Sequence, residues 1–310
     1  MTQTLKIATR SSQLALWQAE WVKEKLVALN PGLQVELVHI KTTGDKILDS
    51  PLAKIGGKGL FVKELEVSLL ANESDIAVHS LKDVPTELPE GLEISVFTKR
   101  ETPWDAFVSN SCSDFESLPT GSVIGTSSLR RMAQLKKARP DLVFKTLRGN
   151  VNTRLAKLDQ GDYDAIILAA AGLIRLEMEQ RITQRLPIDL SIPAIGQGVV
   201  CIESRVGDDR VQRLIEPLKD PETEINVKAE RALLVRLNGG CQVPLAGHAV
   251  NDGKTMRLVG MVASPDGPEF ISLEQEGSVA DAEKIGVRLG ERLLEQGGRE
   301  ILSAVGIETA

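Results

Sequence analysis

Apolar residues recur along this chain with two kinds of spacing, one typical of helices and one typical of strands. Ala15, Ala19, Val22, Leu26 and Leu29 follow a four-three-four-three spacing, which predicts one helix with a buried face. Ser11 or Ser12 can cap its start. Short apolar runs on either side predict strands, and their alternation with helices indicates a sheet with parallel character. The predicted strands are Leu5–Ala8, Val35–Ile40, Asp75–His79 and Leu92–Phe97, with a second helix over Phe61–Leu70.

The same alternation starts again after a charged connector, Thr98–Pro103. Because strands again alternate with helices, this stretch predicts a second α/β domain over residues 104–193. One helix begins at Leu129 and another covers about Val151–Leu158. The predicted strands are Ala106–Ser109, Val123–Gly125, Val143–Leu147 and Ala165–Ala169.

Beyond Pro221 the pattern changes. A long helical stretch runs to Leu237, three extended segments follow, and a last helix is predicted over Val279–Glu295. Asp252 and Gly253 stand between the first two extended segments, and Asp-Gly is a strong hairpin signal. We therefore expect a small α+β domain over residues 221–310 with a three-stranded antiparallel sheet. Its predicted strands are Leu245–Val250, Met256–Ala263 and Phe270–Leu273.

Composition narrows the class of protein. A chain of 310 residues with 42% hydrophobic but 3% aromatic residues is ordinary for an aliphatic-rich α/β enzyme of two or three domains. The net charge of −6 argues against general binding to nucleic acid or to acidic membranes. The sequence shows neither a leader pattern nor an apolar run near 18 residues, so we expect a cytoplasmic protein without a membrane anchor.

Positive charge is concentrated in the middle of the chain despite the net negative charge. Arg130, Arg131, Arg148 and Arg154 follow strand-like segments, where α/β sheets place ligand-binding loops and helix N-termini. Guanidinium groups bind carboxylates or phosphates with two parallel hydrogen bonds. This cluster therefore predicts a site for an anion. The neighbouring basic residues follow the outward side of a helix and are expected to be solvated: Lys136, Lys137 and Arg139.

One cysteine has a setting that suits chemistry. Cys241 follows Gly239 and Gly240 and precedes Pro244, so its sulfur is expected at the exit of a helix with few covering side chains. An accessible thiol can act as an attachment point or a nucleophile. Cys112 and Cys201 lie in partly apolar extended stretches and are expected to be buried.

No metal site is expected. The three histidines, His39, His79 and His248, are scattered and lack ligand spacing with the cysteines.

Two loops are candidates for function. Thr42–Leu60 has no periodicity and surrounds Lys54 and Lys58 with glycines, which predicts a lid, although an ordinary surface loop is the alternative. A nucleotide-binding P-loop is excluded by spacing, since Leu52 and Gly59 stand where glycine and Ser or Thr are required.

The other loop contains Asp83, which follows a predicted strand and lies beside Pro85. A carboxylate at that position can be rigidly aimed, so Asp83 is the best acid/base candidate, with a surface turn aspartate as the alternative. Lys82 favours its carboxylate form, whereas burial would favour an acid. The sequence leaves that choice open.

Seven segments resemble, in order, those of the porphobilinogen deaminase family, also called hydroxymethylbilane synthases. They are Ala8–Ser11, Gly56–Phe61, His79–Pro85, Gly125–Arg131, Leu147–Asn150, Pro193–Gly198 and Glu230–Pro244. The likeness covers essentially the whole chain. It implies an enzyme that joins four porphobilinogen molecules head to tail, releases ammonia at each step and then frees the linear tetrapyrrole. It also implies a dipyrromethane cofactor attached by a thioether to Cys241.

The resemblance assigns roles to the remaining candidates. Asp83 would stabilise the azafulvene cation left by loss of ammonia and move protons. The cofactor carboxylates would be held by Lys82, Asp83, Ser128, Arg130, Arg131 and Arg154. Substrate or growing chain would be held by Arg10, Ser12, Arg148 and Arg175. The lid would contribute Lys54, Lys58 and Phe61.

The resemblance also implies an architecture. Two domains would be like those of type-II periplasmic binding proteins, with ligand between them, and residues 199–217 would return to a first domain formed by 1–98. Family members are usually monomeric. Two other classes stay open from the residues alone. An anion receptor would have no use for Cys241, and a cysteine-dependent acyl transferase would need a His-Asn or His-Asp partner set that is not identifiable.

Overall fold

The computed structural model describes residues 4–46, 59–239, 243–265 and 269–309. These residues form two compact units. The first comprises residues 4–46, 59–101 and 199–224, and the second comprises 102–198 and the described part of the chain from 225 onward. Within the described ranges, each helix is too short or too polar to span a bilayer.

The first unit is built on a five-stranded sheet. Its strands are β1 (Thr4–Arg10), β2 (Gln34–Ile40), β3 (Ile76–Ser80), β4 (Leu92–Phe97) and β10 (Val200–Arg205), in the order β2-β1-β3-β10-β4. β1 runs parallel to β2 and β3, whereas β10 runs antiparallel to β3 and β4. The helices of this unit are α1 (Gln13–Leu29), α2 (Thr43–Lys46), α3 (Lys63–Leu70) and α7 (Asp209–Ile215).

Helices cover both faces of this sheet. On one face α1 and α7 bury aliphatic side chains such as Val22 and Ile215 against Leu5 and Ile76. On the other face α3 places Leu65 and Leu69 over small and aliphatic side chains of the strands. The N-cap of α1 is Ser12, whose side chain accepts a hydrogen bond from the Ala15 backbone N–H, in agreement with one of the two predicted caps.

The second unit contains a sheet of the same plan. Its strands are β5 (Asp105–Val108), β6 (Val123–Gly125), β7 (Val143–Lys145), β8 (Ala165–Ala169) and β9 (Gln184–Arg185), in the order β7-β6-β8-β5-β9. β6 runs parallel to β7 and β8, and β5 runs antiparallel to β8 and β9. Its helices are α4 (Leu129–Ala138), α5 (Val151–Asp159) and α6 (Ala170–Arg175).

The same unit also contains a three-stranded antiparallel sheet, β11 (Leu245–Asn251), β12 (Thr255–Ala263) and β13 (Phe270–Ser278). The helices α8 (Pro221–Arg236, of which residues 225–236 belong to this unit), α9 (Ala282–Leu293) and α10 (Arg299–Ala304) accompany it, and their aliphatic side chains form one core with the strands. The sheet's other core joins Ala246 and Met261 to Ile192. The α/β fold with a C-terminal three-stranded antiparallel sheet, predicted from the sequence, is confirmed.

The bounds of some strands differ from those predicted from the apolar pattern. Strand β13 extends to Ser278, five residues beyond the predicted end, because it pairs with β12 along its whole length while its later residues are polar on the exposed face. Strand β7 ends at Lys145, and Leu147, which the prediction included, is a fully buried residue of the following loop. The short helices α6, α7 and α10 and the strands β9 and β10 were not predicted, and neither was α2, which lies in the segment predicted as a loop.

Candidate functional site

The predicted site residues fall into two groups, one in each unit. The first group lines a small cavity of about 60 Å³ in the first unit. Four predicted residues meet there: Arg10, Ser12, Phe61 and Asp83. This cavity therefore unites the acid/base candidate with two predicted substrate-binding residues and one predicted lid residue.

The sheet explains why these residues meet. β1 ends at Arg10, and β3 ends at Ser80, from which a 3₁₀ turn, Leu81–Asp83, leads to Asp83. The two strands are parallel neighbours, so their carboxyl ends reach the same sheet edge. Val84 closes the turn with a backbone N–H donated to the Leu81 carbonyl, which fixes the position of Asp83.

Arg10 and Phe61 are also in direct contact. The guanidinium carbon of Arg10 lies 4.3 Å from the Phe61 ring centre, a cation–π geometry. The ring restricts the arginine side chain and leaves its charge in the cavity. Lys82, predicted to bind cofactor, is half-buried in the same turn.

Gln18 and Ser80 line this cavity as well, and neither was among the predicted site residues. Gln18 is 2% exposed, and its amide nitrogen donates to the Ser80 hydroxyl at 2.8 Å. The signal for Gln18 was present in the sequence, because it is a polar residue within the buried face of α1.

The second group surrounds two helix N-termini in the second unit. β6 and β7 are parallel neighbours, and the helices that follow them begin at Ser128 and Asn150, whose side chains accept from Arg131 N–H and Thr153 N–H. The Ser127 hydroxyl donates to the Leu147 carbonyl at 2.5 Å and joins the two loops. Exposed N–H groups and the helix dipoles make this edge favourable for anions.

Arg130 and Arg131 share a buried carboxylate that sequence reasoning missed. Asp105 is 0% exposed and accepts two hydrogen bonds from each guanidinium. The arginines also donate to the carbonyls of Ile192 and Ile167. Burial alone would raise the pKa of Asp105, but the two guanidinium charges and their hydrogen bonds outweigh burial and hold that pKa well below its usual range.

The shared carboxylate changes what this pair can offer to a ligand. Two guanidinium groups and one carboxylate together carry a net charge of +1. Both arginines are only 5 to 6% exposed. Arg130 and Arg131 were predicted to bind the cofactor. In this nearly buried pair, only the N–H groups that are not bonded to Asp105 or to backbone carbonyls could do so. The sequence feature that could have indicated Asp105 is an acidic residue at the start of an otherwise apolar strand.

The three other predicted arginines are held by glycine-rich backbone or lie close to it. Arg154 donates through Nε to the Gly149 carbonyl at 2.8 Å, and Arg175 donates to the Gly198 carbonyl at 2.7 Å. Arg175 is 8% exposed, while Arg148 and Arg154 are half-buried. These backbone contacts orient the side chains of Arg154 and Arg175.

The basic residues predicted to be solvated behave in two ways. Lys136 and Lys137 are exposed. Arg139 is half-buried and differs from the expectation, because it caps α4 and bridges Asp141 at 2.7 Å while donating to the carbonyls of Glu116 and Leu118. Its role is structural.

Three predicted site residues lie outside the described residues: Cys241, Lys54 and Lys58. Of the other two cysteines, Cys201 is fully buried and Cys112 is partly buried. In the part of the chain that the structure describes, no group of three or more His, Cys, Asp or Glu side chains could hold a metal ion.

Comparison with known families decides the assignment. The family model described as "Porphobilinogen deaminase, dipyromethane cofactor binding domain" matches residues 5–213, and that described as "Porphobilinogen deaminase, C-terminal domain" matches residues 225–295. The chain belongs to the porphobilinogen deaminase family. It is therefore a transferase-type enzyme of tetrapyrrole synthesis with a domain that binds a dipyrromethane cofactor, as the sequence predicted.

Solved structures similar to this member of the porphobilinogen deaminase family include binding proteins. A nutrient binding protein from Burkholderia cenocepacia bound to methionine has 11% identity and a TM-score of 0.43, over 75% of this chain and 95% of that chain. The Bordetella pertussis BvgS periplasmic VFT2 domain has 16% identity and a TM-score of 0.39, over 68% of this chain and 85% of that chain. Similarity at this level carries no inference about function.

Proposed function

We propose that this protein is a hydroxymethylbilane synthase, which condenses four porphobilinogen molecules head to tail on a covalently bound dipyrromethane and then releases the linear tetrapyrrole by hydrolysis. The observation that supports this most directly is the cavity that brings Asp83 together with Arg10 and Ser12 in a chain of this family. The cofactor supplies a nucleophilic pyrrole carbon at which the first substrate is joined.

The donor set fits a polyanionic cofactor. A dipyrromethane made from two porphobilinogen units carries acetate and propionate groups, which require charge-assisted partners when they leave water. Ser128, at the N-terminus of α4, and Arg154, anchored to Gly149, offer such partners at one sheet edge. Arg130 and Arg131 together with Asp105 add one net positive charge at the same sheet edge. Lys82 is proposed as a further ligand of the cofactor carboxylates.

Arg10, Ser12, Arg148 and Arg175 are proposed to bind the carboxylates of the incoming substrate and growing chain. Each charge-assisted hydrogen bond contributes about 1.5–3 kcal/mol, so several are needed to hold a chain that gains two carboxylates per step. Arginine suits this task because its charge persists at any working pH.

Asp83 is proposed as the catalytic acid/base group. Loss of ammonia leaves a cation on the substrate that is shared with the pyrrole N–H, and a fixed carboxylate next to that N–H lowers its energy. The same carboxylate can accept the proton released when the new carbon–carbon bond forms. The closed turn at Leu81–Val84 supports this role, because it holds Asp83 at the cavity.

Cys241 is proposed as the thioether anchor. After attachment the sulfur takes no part in turnover, so the residue acts as a tether and not as a recycling nucleophile. We further propose that the enzyme is cytoplasmic and monomeric, with Lys54, Lys58 and Phe61 contributing to a lid, and that it uses neither metal nor nucleic acid.

The test is incubation of the purified protein with porphobilinogen. We expect one ammonia per porphobilinogen consumed and a soluble linear tetrapyrrole. Tight binding of porphobilinogen or other carboxylates without any release of ammonia would contradict the proposal and favour an anion receptor.

A further inference from the structure

A buried line of three titratable side chains starts at the Asp83 cavity. His79 lines this cavity, and its Nε2 lies 2.8 Å from Oε2 of Glu203. The two side chains are 3% and 0% exposed. Their contact follows from strand register: His79 on β3 is paired with Cys201 on β10, and Glu203 is two residues further along, on the same face of the sheet.

Glu66 is the third member. It belongs to α3, which packs over the same sheet against β1, β3 and β10, and it is 7% exposed. Burial, followed by the nearby carboxyl of Glu203, raises the pKa of Glu66 to about 7, while His79 and Lys63 act in the opposite direction and Glu64 adds a small increase. Near neutral pH Glu66 can therefore both accept and release a proton.

These groups are not explained by packing. They lie in an apolar layer formed by Leu65 and Leu69 over Ala8, Ala77 and Leu92. Among the described residues, Oε1 of Glu203 and Oε1 of Glu66 are buried without a hydrogen-bond partner. A buried acceptor without a partner costs free energy, and well-packed aliphatic side chains would serve stability better.

At the end away from Asp83, the three titratable side chains reach a second cavity at the protein surface. Glu66 also lines a second cavity, of about 430 Å³, together with Lys63, Pro85 and Glu87. Val67 and Leu70, on the same rim, are 57% and 46% exposed. His79 therefore borders the Asp83 cavity and Glu66 borders a cavity at the surface, while Glu203 contacts His79 directly and acts electrostatically on Glu66.

We infer that His79, Glu203 and Glu66 form a proton-conducting path that carries away the proton released beside Asp83 in each condensation. The inference rests on the proposed function. In each condensation the C–N bond of the substrate breaks, ammonia leaves with the electron pair, a C–C bond forms, and the attacked pyrrole carbon loses one proton. That proton passes from Asp83 to the imidazole of His79, which releases a proton from Nε2 to Glu203.

Glu203 then passes a proton to Glu66, which gives it to solvent in the second cavity. No oxidant or further reactant is needed. The 60 Å³ of the first cavity is room for a few water molecules, which can bridge Asp83 and His79. All three members of the path act on the reaction through Asp83 and do not touch the reacting atoms.

The test compares the Glu66→Gln and Glu203→Gln variants with wild type, all loaded with cofactor as verified by intact mass. Glu73→Gln is the matched control, because Glu73 is an exposed residue just past α3. We expect kcat to fall by on the order of 10- to 100-fold in both variants, with KM changed by less than about twofold. The wild-type decline of kcat below about pH 7 should be absent in Glu66→Gln.

Added imidazole at millimolar concentration should restore part of kcat in both variants, since a small diffusible base can replace a proton path. Glu66→Gln decides the question if Glu203→Gln does not fold, because glutamine has nearly the shape of a protonated glutamate and adds no buried charge.

The inference is overturned if Glu66→Gln keeps the wild-type kcat and pH profile, or if a loss of kcat comes without change in pH profile and without rescue by imidazole. Both outcomes leave the proposed function standing. A wild-type protein that releases no ammonia would instead refute the proposed function itself.

Discussion

Replacing Asp105 with asparagine tests the idea that one buried carboxylate holds the paired arginines. Asp105 accepts four hydrogen bonds from Arg130 and Arg131, and two more from Ser191 and Gln197. Asparagine has nearly the same shape but no charge, so two guanidinium groups would be buried without a counter-ion. Breaking a buried ion pair by removing one partner typically costs about 3–5 kcal/mol, and we expect a loss of that size.

The assay is urea unfolding followed by tryptophan fluorescence. The chain has three tryptophans, and replacing Trp17 and Trp21 with phenylalanine leaves Trp104, in the second unit, as the reporter. Asp141→Asn is the control, because Asp141 bridges Arg139 at the surface, and it should change the midpoint far less. An Asp105→Asn protein within about 1 kcal/mol of its parent would refute the reasoning.

The pH dependence of this contribution has a definite sign. The pKa of Asp105 is lowered in the folded protein, so its stabilisation is fully present above the unfolded pKa of about 4 and is lost only as the pH falls further. Between pH 5 and 8 the difference between parent and Asp105→Asn should therefore stay constant. A difference that shrinks across that range would show that the carboxyl titrates there.

Three further predictions follow from single residues. Asp83→Ala should fold normally by circular dichroism yet lose nearly all ammonia release; turnover within about tenfold of wild type would remove Asp83 from the mechanism. The pKa of Glu66 is raised to about 7, so the wild-type free energy of unfolding should fall as the pH rises from about 4.5 through 7, and Glu66→Gln should abolish that slope. At pH 8 the variant should be more stable than wild type by about 3 kcal/mol, and a variant as unstable as wild type there would contradict the burial of this carboxylate. Gly149 has a φ of +112°, and a Cβ there would lie 2.7 Å from the Thr153 side chain. Gly149→Ala should therefore lower the free energy of unfolding by at least about 1–3 kcal/mol, measured by thermal unfolding. An unchanged Tm would count against a strained turn at this position.

Local patterns predicted most elements of the fold because helices and strands leave a periodic signal wherever one face is buried. The face of α1 and the turn at Asp252–Gly253 are examples, and both appear where expected, except that Leu29, at the end of α1, is 49% exposed. Residues 199–217 were expected to return to the first domain, but no strand was predicted there, and the antiparallel place of β10 between β3 and β4 depends on pairing between residues over a hundred positions apart. Such pairing has no local signature.

Sequence predicted those residues of the candidate site that lie in short motifs. Asp83 was predicted from its place after a strand, and Arg10 and Ser12 from the family resemblance, and the structure brings these three predicted residues into one cavity. Asp105 and Glu203 were missed, because each is a single acidic residue in an apolar strand whose partners lie far away in sequence. Only the folded register shows what such a residue faces.

The central claim is that chain growth takes place on a pyrrole primer tethered to Cys241. The most direct measurement is intact and peptide mass spectrometry of the purified protein before and after brief exposure to porphobilinogen, with Cys241→Ser in parallel. We predict a dipyrrole adduct on the peptide that contains Cys241, and a ladder of one, two and three added units after exposure. A wild-type protein without any adduct, or a bare Cys241→Ser protein that forms tetrapyrrole at the wild-type rate, would contradict the account.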